Sequence, residues 1–464
     1  MYKNIFQSQK ENIAKIKSTS FIERIAKLRA LKFEISNSLD DLYLALKKDL
    51  GKSSVEVDLV EVYPVFFEID FAIRNLKSWM KPHKVKTPLA LIGSRSEIRY
   101  EPKGVVLIIG PWNYPFHLMV APLVSAIAAG NTAILKPSEM CSHTSQYLIS
   151  LISKLFNEAE VACITGDASV SQELLKFPFD HIFFTGSPRV GKLVMAAAAS
   201  NLTSVTLELG GKSPAIVEKT ADLRLAARRI VWGKFINAGQ TCVAPDYVFV
   251  PEENISTFVE ETKEVIQNFY GPTEEDREKS PDFGRVINDS HYMRLKALVS
   301  SAVIAGAKLE IGGVFKDRER YIAPTVLTNL KDDSLVMQEE IFGPVLPVIP
   351  YKSLDDVYNF LKEKPLALYI FSKDKNAIEE ILAHTTAGGT AINNTLLQIS
   401  NPNLPFGGQG GSGTGSYHGF FGFRAFSHER AIYSQQLFLL HMLYPPYTEM
   451  IKKLVRFLVK YFTR

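Results

Sequence analysis

The stretch Lys234 to Tyr247, KFINAGQTCVAPDY, sets a lone thiol, Cys242, among small and polar residues. Structural cysteines usually sit among Val, Leu and Ile, whereas a nucleophile needs access and neighbours that favour the thiolate. Gly239 and Thr241 leave that access open. Free cysteines are commonly inert, so the thiol taken alone leaves both readings standing. Other stretches are also too irregular in composition to be plain core: GPWNYPF (110–116) and VTLELGGKSP (205–214) upstream, QEEIFGPVLP from Gln338 and LPFGGQGGSGTGSYHG from Leu404 downstream. FTGSPRVGK, from Phe184, follows an apolar run and precedes helical text, so its backbone amides and a helix N-terminus could hold phosphate. Gly186, Gly191 and Lys192 have P-loop spacing, but Leu193 stands where a Ser or Thr should reach magnesium. The dinucleotide pattern GxGxxG is absent too, so fold-level motifs leave the ligand of this turn unidentified. The nine histidines show no ligand spacing such as HExxH, and no metal site is expected.

The elements that must position these residues follow from pattern. Residues 1 to about 80 carry apolar positions at helical spacing, as in Ile22, Ile25, Ala26 and Leu28, and read as packing helices. A Pro-punctuated stretch follows, in which SEIRYEP suits a short strand outside the main sheet. From Gly104 a regular beat begins: the buried-strand run GVVLIIG, the helix LMVAPLVSAIAAG closed by Gly130, the strand NTAILKP, and further alternations to SVTLEL. Such alternation implies a doubly wound parallel sheet, which binds ligands at the carboxyl ends of its strands. At 464 residues the chain is long for one core, and two or three domains are expected. Hydrophobic content of 46% and charged content of 22% describe an ordinary globular protein. Three cysteines argue for a reducing compartment, so no disulfide is expected, and Cys141 and Cys163 read as packing residues. With no signal peptide or spanning run the reading is cytoplasmic. Residues 449–464 carry five basic side chains against Glu449 and account for the whole formal charge of +4. A nucleic-acid footprint spread over a domain face is therefore absent.

In WNYPF, KPSE, TLELGGKSP, QTCVAPDY, EEIFGP and the SYHG ending, the chain resembles the NAD(P)-dependent aldehyde dehydrogenases, within them the class 3 or fatty aldehyde branch. The resemblance implies an α/β fold with a doubly wound cofactor-binding domain (1–80 and 104–208), a second α/β catalytic domain (209–416) and a small β oligomerisation flap (81–103 and 417–442), ahead of an amphipathic tail (443–464). It implies a homodimer. It also implies oxidation of medium- or long-chain aliphatic or aromatic aldehydes to carboxylic acids through a thiohemiacetal and thioester on Cys242.

Asn113 and the Cys242 N–H are the expected oxyanion donors, and Glu208 the general base. Without the resemblance, Asn113 would be turn chemistry and Glu208 an outward strand residue, although Gly210 and Gly211 permit a close turn. The resemblance places Gly186, Ser187 and Gly191 near the pyrophosphate, Lys136 and Glu139 at the adenosine ribose, and Glu340 and Phe342 at the nicotinamide ribose and ring. A carboxylate at the ribose favours NAD, with NADP possible. CoA-acylating relatives typically lack the base, so release of free acid is the expected outcome. An acylating enzyme and a catalytically silent scaffold protein are the alternatives. The tail, basic and aromatic but too short to span, suits a membrane surface or docking on a subunit.

Overall fold

The computed structural model describes residues 2–88, 91–435 and 444–462. Four helices dominate the first eighty residues, Tyr2–Lys17, Phe21–Asn37, Leu39–Leu50 and Tyr63–Trp79. Ser20 and Glu23 start the second with a reciprocal capping box, and Gly51, left-handed at φ 71°, ends the third. A single π-helical turn, Asp58–Val62, leads into the fourth. Short strands β1 (His83–Val85) and β2 (Ser94–Pro102) follow.

Next come β3 (Val105–Ile109), β4 (Thr132–Lys136), β5 (Val161–Cys163), β6 (His181–Thr185) and β7 (Ser204–Glu208), joined by helices and paired in parallel in the order β7-β6-β3-β4-β5. Apolar side chains are buried on both faces, as Val106, Ile108 and Leu135 against the helical layer and Leu107, Ile134 and Phe184 on the opposite side. Register aligns Ile109 with Lys136 and Thr185 with Glu208. The carboxyl ends of the strands therefore line up as one rim, where a doubly wound sheet binds its ligand.

The second sheet is built from β8 (Pro214–Val217), β9 (Tyr247–Pro251), β10 (Lys308–Ile311), β13 (Thr325–Thr328), β14 (Val345–Tyr351), β15 (Ala367–Phe371) and β16 (Gly389–Ile392), in the order β10-β13-β14-β9-β8-β15-β16, with a small hairpin β11 (Phe315–Lys316) and β12 (Tyr321–Ile322) outside it. All pairings are parallel except β10 with β13. β17 (Gly413–Thr414) returns to the first sheet, antiparallel to β7 at Glu208 and Leu207. β18 (Ser427–Gln435) pairs antiparallel with β2 along its whole length, giving a three-stranded sheet β1-β2-β18.

Two expected boundaries shift. Residues 413–414 fall inside the stretch expected to be the catalytic domain yet pair with β7 of the first sheet, because glycines let this segment lie against it. Residues 417–425 are not flap. Gly419–Ala425 is a helix, and Tyr417, Phe423 and Phe426 are buried in the first core, packed with Trp79 and Phe183. The apolar FFGF run gains more from that burial than from an edge strand. The remaining end of the expected flap, 436–442, lies outside the described residues. In the tail, Glu449–Phe462 is helical with Met450, Phe457 and Tyr461 exposed, while Tyr447 precedes the helix. No helix among the described residues is long and apolar enough to cross a membrane.

Candidate active site

Cys242 follows a tight turn, Ile236–Gly239, in which Asn237 and Ala238 are left-handed at φ 53° and 50°. Backbone strain of this kind persists only when the surroundings over-determine it, and here they do. Asn237 donates its N–H to Glu56 Oε1 at 2.9 Å and its side-chain amide to the carbonyls of Asn113 (2.8 Å) and Gln240 (3.1 Å). The Gln240 side chain donates to the carbonyls of Asn237 and Arg285, both at 3.0 Å, and accepts from Ile287 N at 2.9 Å. Gly239, at φ 75°, is pressed so close to Gly343 that a Cβ would lie 2.2 Å from its carbonyl oxygen. Only glycine satisfies both conditions, and the contact locks the thiol loop onto the IFGP loop.

A second loop is held against the first by charge. Lys52 and Glu61 form an ion pair of 2.7 Å with neither side chain exposed. Lys52 Nζ also donates to the Asn113 carbonyl at 2.9 Å and lies 4.2 Å from the Tyr114 ring centre, while Glu61 Oε2 accepts from His117 N at 2.8 Å. Beyond their mutual contact, both members of the pair thus bond to the WNYPFH turn. Asn113 is buried, and its side-chain amide donates to the Gln240 carbonyl at 3.0 Å, two residues before the thiol. One amide N–H is used in this way and the second has no protein partner among the described residues. Tyr114 OH is 2.5 Å from Thr241 Oγ1.

These loops close one end of a cavity. Its floor carries Cys242, Glu208, Thr185 and Thr241, its walls include Leu118, Trp232, Val243, Phe406 and Tyr417, and Leu59, Tyr63 and Leu397 stand at its rim with half or more of their surface exposed. Glu208 is buried with both carboxylate oxygens unpartnered, and burial raises its pKa well above the ordinary range. Thr185 Oγ1 has no partner either. Burial, then the charges of Glu340 and Glu208, push the Cys242 thiol up to about 12. Ionisation of either the thiol or the Glu208 carboxyl therefore makes ionisation of the other harder. Cys141 is buried in the first core and donates to the Trp112 carbonyl at 3.0 Å, and Cys163 packs against the same core.

The residues expected to hold a cofactor ring the carboxyl ends of β4, β6 and β7. Lys136 ends β4 buried, 3.6 Å from the more exposed Glu139. Gly186 leads from β6 into the helix Pro188–Ala199, which Ser187 caps by accepting from Val190 N at 3.4 Å. At Gly191 a Cβ would meet Leu209 Cδ2 at 2.6 Å, so bare backbone brings this helix onto the sheet. Glu340 lies over the same rim: a Cβ on Gly210 would meet Glu340 Oε2 at 2.1 Å. The protein around its carboxylate, with Asp246 nearby, pushes Glu340 up to about 8. Phe342, at φ 49°, packs edge-on to Trp112 with centroids 5.2 Å apart. A helix N-terminus for phosphate, a carboxylate with an adjacent ammonium for a ribose, and a carboxylate and ring at the cleft fit a nicotinamide dinucleotide.

Several supports escape sequence reasoning. Lys212 pairs with Asp246 and donates to the carbonyls of Val336 (3.0 Å) and Glu339 (2.9 Å), and Ile341 N donates to Asp246 Oδ1 at 3.0 Å. This cluster fixes the loop that carries Glu340. The buried Lys234, 3.8 Å from Asp246, is lowered to about 8 by burial. Lys52 and Glu61 lie in helical text with no local signal, whereas His117, adjoining the WNYPF motif, had one.

Comparison with known proteins agrees with this geometry. The model of the aldehyde dehydrogenase family matches residues 2–432. The chain is 45% identical to 4,4'-diaponeurosporen-aldehyde dehydrogenase of Staphylococcus aureus, covering 90% of each chain. It is also 45% identical to the dimeric NADP-preferring aldehyde dehydrogenase of Rattus norvegicus, covering 90% of this chain and 91% of the relative. Among solved structures, the substrate-bound state of Staphylococcus aureus AldH superposes with a TM-score of 0.94 at 42% identity, covering 99% of both chains. A Mycobacterium tuberculosis aldehyde dehydrogenase complexed with NAD+ gives 0.83 at 26% identity, covering 92% and 88%. A half-buried thiol and a buried carboxyl on one cavity floor, beside a rim suited to NAD or NADP, thus have their counterpart in whole-chain similarity, and the chain belongs to the aldehyde dehydrogenase family, with class 3 members among its relatives.

Proposed function

We propose that this aldehyde dehydrogenase takes apolar aldehydes, with medium or long alkyl chains or aromatic bodies, and releases them as free carboxylic acids. The cavity carries the reading, because Cys242 and Glu208 share its floor while its walls and rim are predominantly aliphatic and aromatic. Each buried methylene of a substrate contributes about 0.8 kcal/mol of binding there.

The chemistry follows from the groups on the floor. Glu208 accepts the thiol proton, and the thiolate adds to the aldehyde carbon as the carbonyl electron pair moves to oxygen. The free amide N–H of Asn113 and the N–H of Cys242 stabilise that oxyanion. The nicotinamide cofactor, when bound, supplies the acceptor for the hydride that leaves this carbon, so that a thioester remains on sulfur. Glu208 passes the thiol proton on to solvent and then, again a carboxylate, takes a proton from the attacking water; the C–S bond breaks and the sulfur departs as thiolate. Lys136, Glu139, Gly186, Ser187, Gly191, Glu340 and Phe342 would hold the cofactor. A carboxylate facing the cavity with both oxygens free supports hydrolysis over transfer to CoA. The test is an aldehyde panel from short to long chain with NAD and NADP, in which the product is identified with and without CoA. Acyl-CoA in place of free acid would overturn the hydrolytic assignment.

The assembly and location readings rest on two edges. β18 is the outer strand of its sheet, which suits pairing between two copies of the chain. The tail helix presents Met450, Ile451, Leu454, Leu458 and Tyr461 along one stripe and Lys452, Lys453, Arg456 and Lys460 beside it, a pattern suited to an anionic membrane surface on the cytoplasmic side. Flotation with anionic vesicles should retain the full chain and lose a version ending at Tyr444, with release as salt rises. Equal binding by both would leave the tail a docking element.

A further inference from the structure

The ammonium of Lys52 lies outside the cavity lining, and its bonds run toward the cavity floor. Lys52 follows the left-handed Gly51, and its side chain has no exposed surface. An ammonium carries three N–H donors and no acceptor. One donor goes to Glu61 Oε1 at 2.7 Å and one to the Asn113 carbonyl at 2.9 Å, while the face of the Tyr114 ring stands 4.2 Å away. Glu56 feels the same charge: burial raises its carboxyl to about 7, and Lys52 opposes the rise. Glu56 Oε1 accepts from Asn237 N at 2.9 Å, in the turn that leads to the thiol. One cation thus stands between the WNYPFH turn and the thiol loop.

Two routes lead from it to the floor. The Asn113 carbonyl also accepts from Asn237 Nδ2 at 2.8 Å, and the Asn113 side chain donates to the Gln240 carbonyl at 3.0 Å, so the residue is held at both its backbone and its amide. Tyr114 OH lies 2.5 Å from Thr241 Oγ1, and Tyr114, Thr241 and Cys242 all line the cavity. Stability does not call for a cation here, because buried ion pairs are often replaced by apolar side chains of similar volume without loss. Apolar side chains would fill the space, but they would neither bond the Asn113 carbonyl nor draw the Tyr114 ring onto a charge. What the cation adds is orientation.

We propose that Lys52 is a positioning residue for catalysis: its ammonium sets where Asn113, Tyr114 and Thr241 stand relative to Cys242, and it touches neither substrate nor cofactor. This rests on thiol addition at Cys242 with Asn113 as an oxyanion donor. The test is a double variant, Lys52→Met with Glu61→Gln, which leaves neither charge buried alone and keeps an oxygen for the His117 N–H. Octanal is mixed with each protein and NAD or NADP, and the rate of the first turnover is read as reduced cofactor per folded chain. The melting temperature, the dissociation constant of the cofactor and the octanal concentration at half-maximal rate are measured beside it. The variant should keep its fold and both affinities, while the first turnover slows on the order of 10²-fold, the cost of a misplacement of about 1 Å. Lys52→Gln with Glu61→Gln, which returns an N–H donor to the Asn113 carbonyl, should recover part of that loss. Should the Met variant fail to fold, the Gln variant carries the test, and a first turnover slower than wild type with both affinities kept supports the role. A wild-type first turnover in a folded variant, or a loss that tracks cofactor affinity, would overturn this inference and leave the aldehyde reading intact. No first turnover in the wild type with either cofactor would overturn both.

Discussion

The two sides of Cys242 are built on opposite terms. Behind it, in the Lys52, Glu61, Asn113, Asn237 and Gln240 network, the charges are paired and every side-chain amide makes at least one hydrogen bond, although Asn237 Oδ1 has no partner, and the loops cannot shift without breaking several bonds at once. In front, Glu208 lacks any partner, Thr185 Oγ1 is unsatisfied, and the thiol sits far from its ionised form. Buried polar groups are normally paired, so the front is where the fold withholds bonds that substrate, cofactor or water must complete. Stability is concentrated in the support and spent at the working face, the trade expected between stability and activity.

Cys242→Ala breaks the comparison most completely. It should abolish dehydrogenase activity, whereas Cys141→Ala and Cys163→Ala, placed in core packing, should retain it. Steady-state NADH formation with each variant decides the point, and full activity in Cys242→Ala would sink the mechanism.

Glu208→Gln should slow turnover by roughly 10² to 10⁴, the range for a lost general base. It should also stabilise the protein, because burial raises the carboxyl pKa above its ordinary value in the folded state. The sign follows from proton linkage: as pH rises above about 4.5 the unfolded chain ionises while the folded carboxyl resists, so ionisation favours unfolding. The gain in melting temperature should therefore grow with pH from that point, and a fall in melting temperature at neutral pH would refute it.

On the supporting side, Glu61→Ala leaves Lys52 buried without its counter-charge and should cost about 3–5 kcal/mol in denaturant unfolding. A loss under about 1 kcal/mol would mean that the pair is no keystone. The smallest effect is expected for Glu340→Gln. Removing a negative neighbour favours the thiolate, so the pH profile of Cys242 alkylation by iodoacetamide should move to lower pH. A profile that stays put would show that the Glu340 charge does not reach the sulfur.

Much of the front was legible in sequence, and little of the support. Cys242 and Glu208 stood out because a thiol in small, polar text and a carboxylate before two glycines are poor packing choices, and the strand and helix beat from Gly104 announced the sheet that carries the cofactor rim. Lys52 and Glu61 gave no such sign. Each is an ordinary residue for helical surface text, and their pairing exists only once the first helices close over the WNYPFH turn. The short β17 was missed for a related reason: Gly413 and Thr414 have no strand pattern of their own, and their pairing with β7 depends on tertiary approach. Tyr417 to Phe426 were read into the flap because the strand that follows them is real, but burial against Trp79 won.

The exposed apolar rim of Leu59, Tyr63 and Leu397 also sorts the two ends of the reaction by partition. An aldehyde is uncharged and passes a greasy gateway readily, whereas the carboxylate it becomes carries a charge that the lining does not solvate. Oxidation thus converts a molecule the channel retains into one it expels. The acid should inhibit far less than a neutral amide of the same shape, so product accumulation should slow the enzyme little.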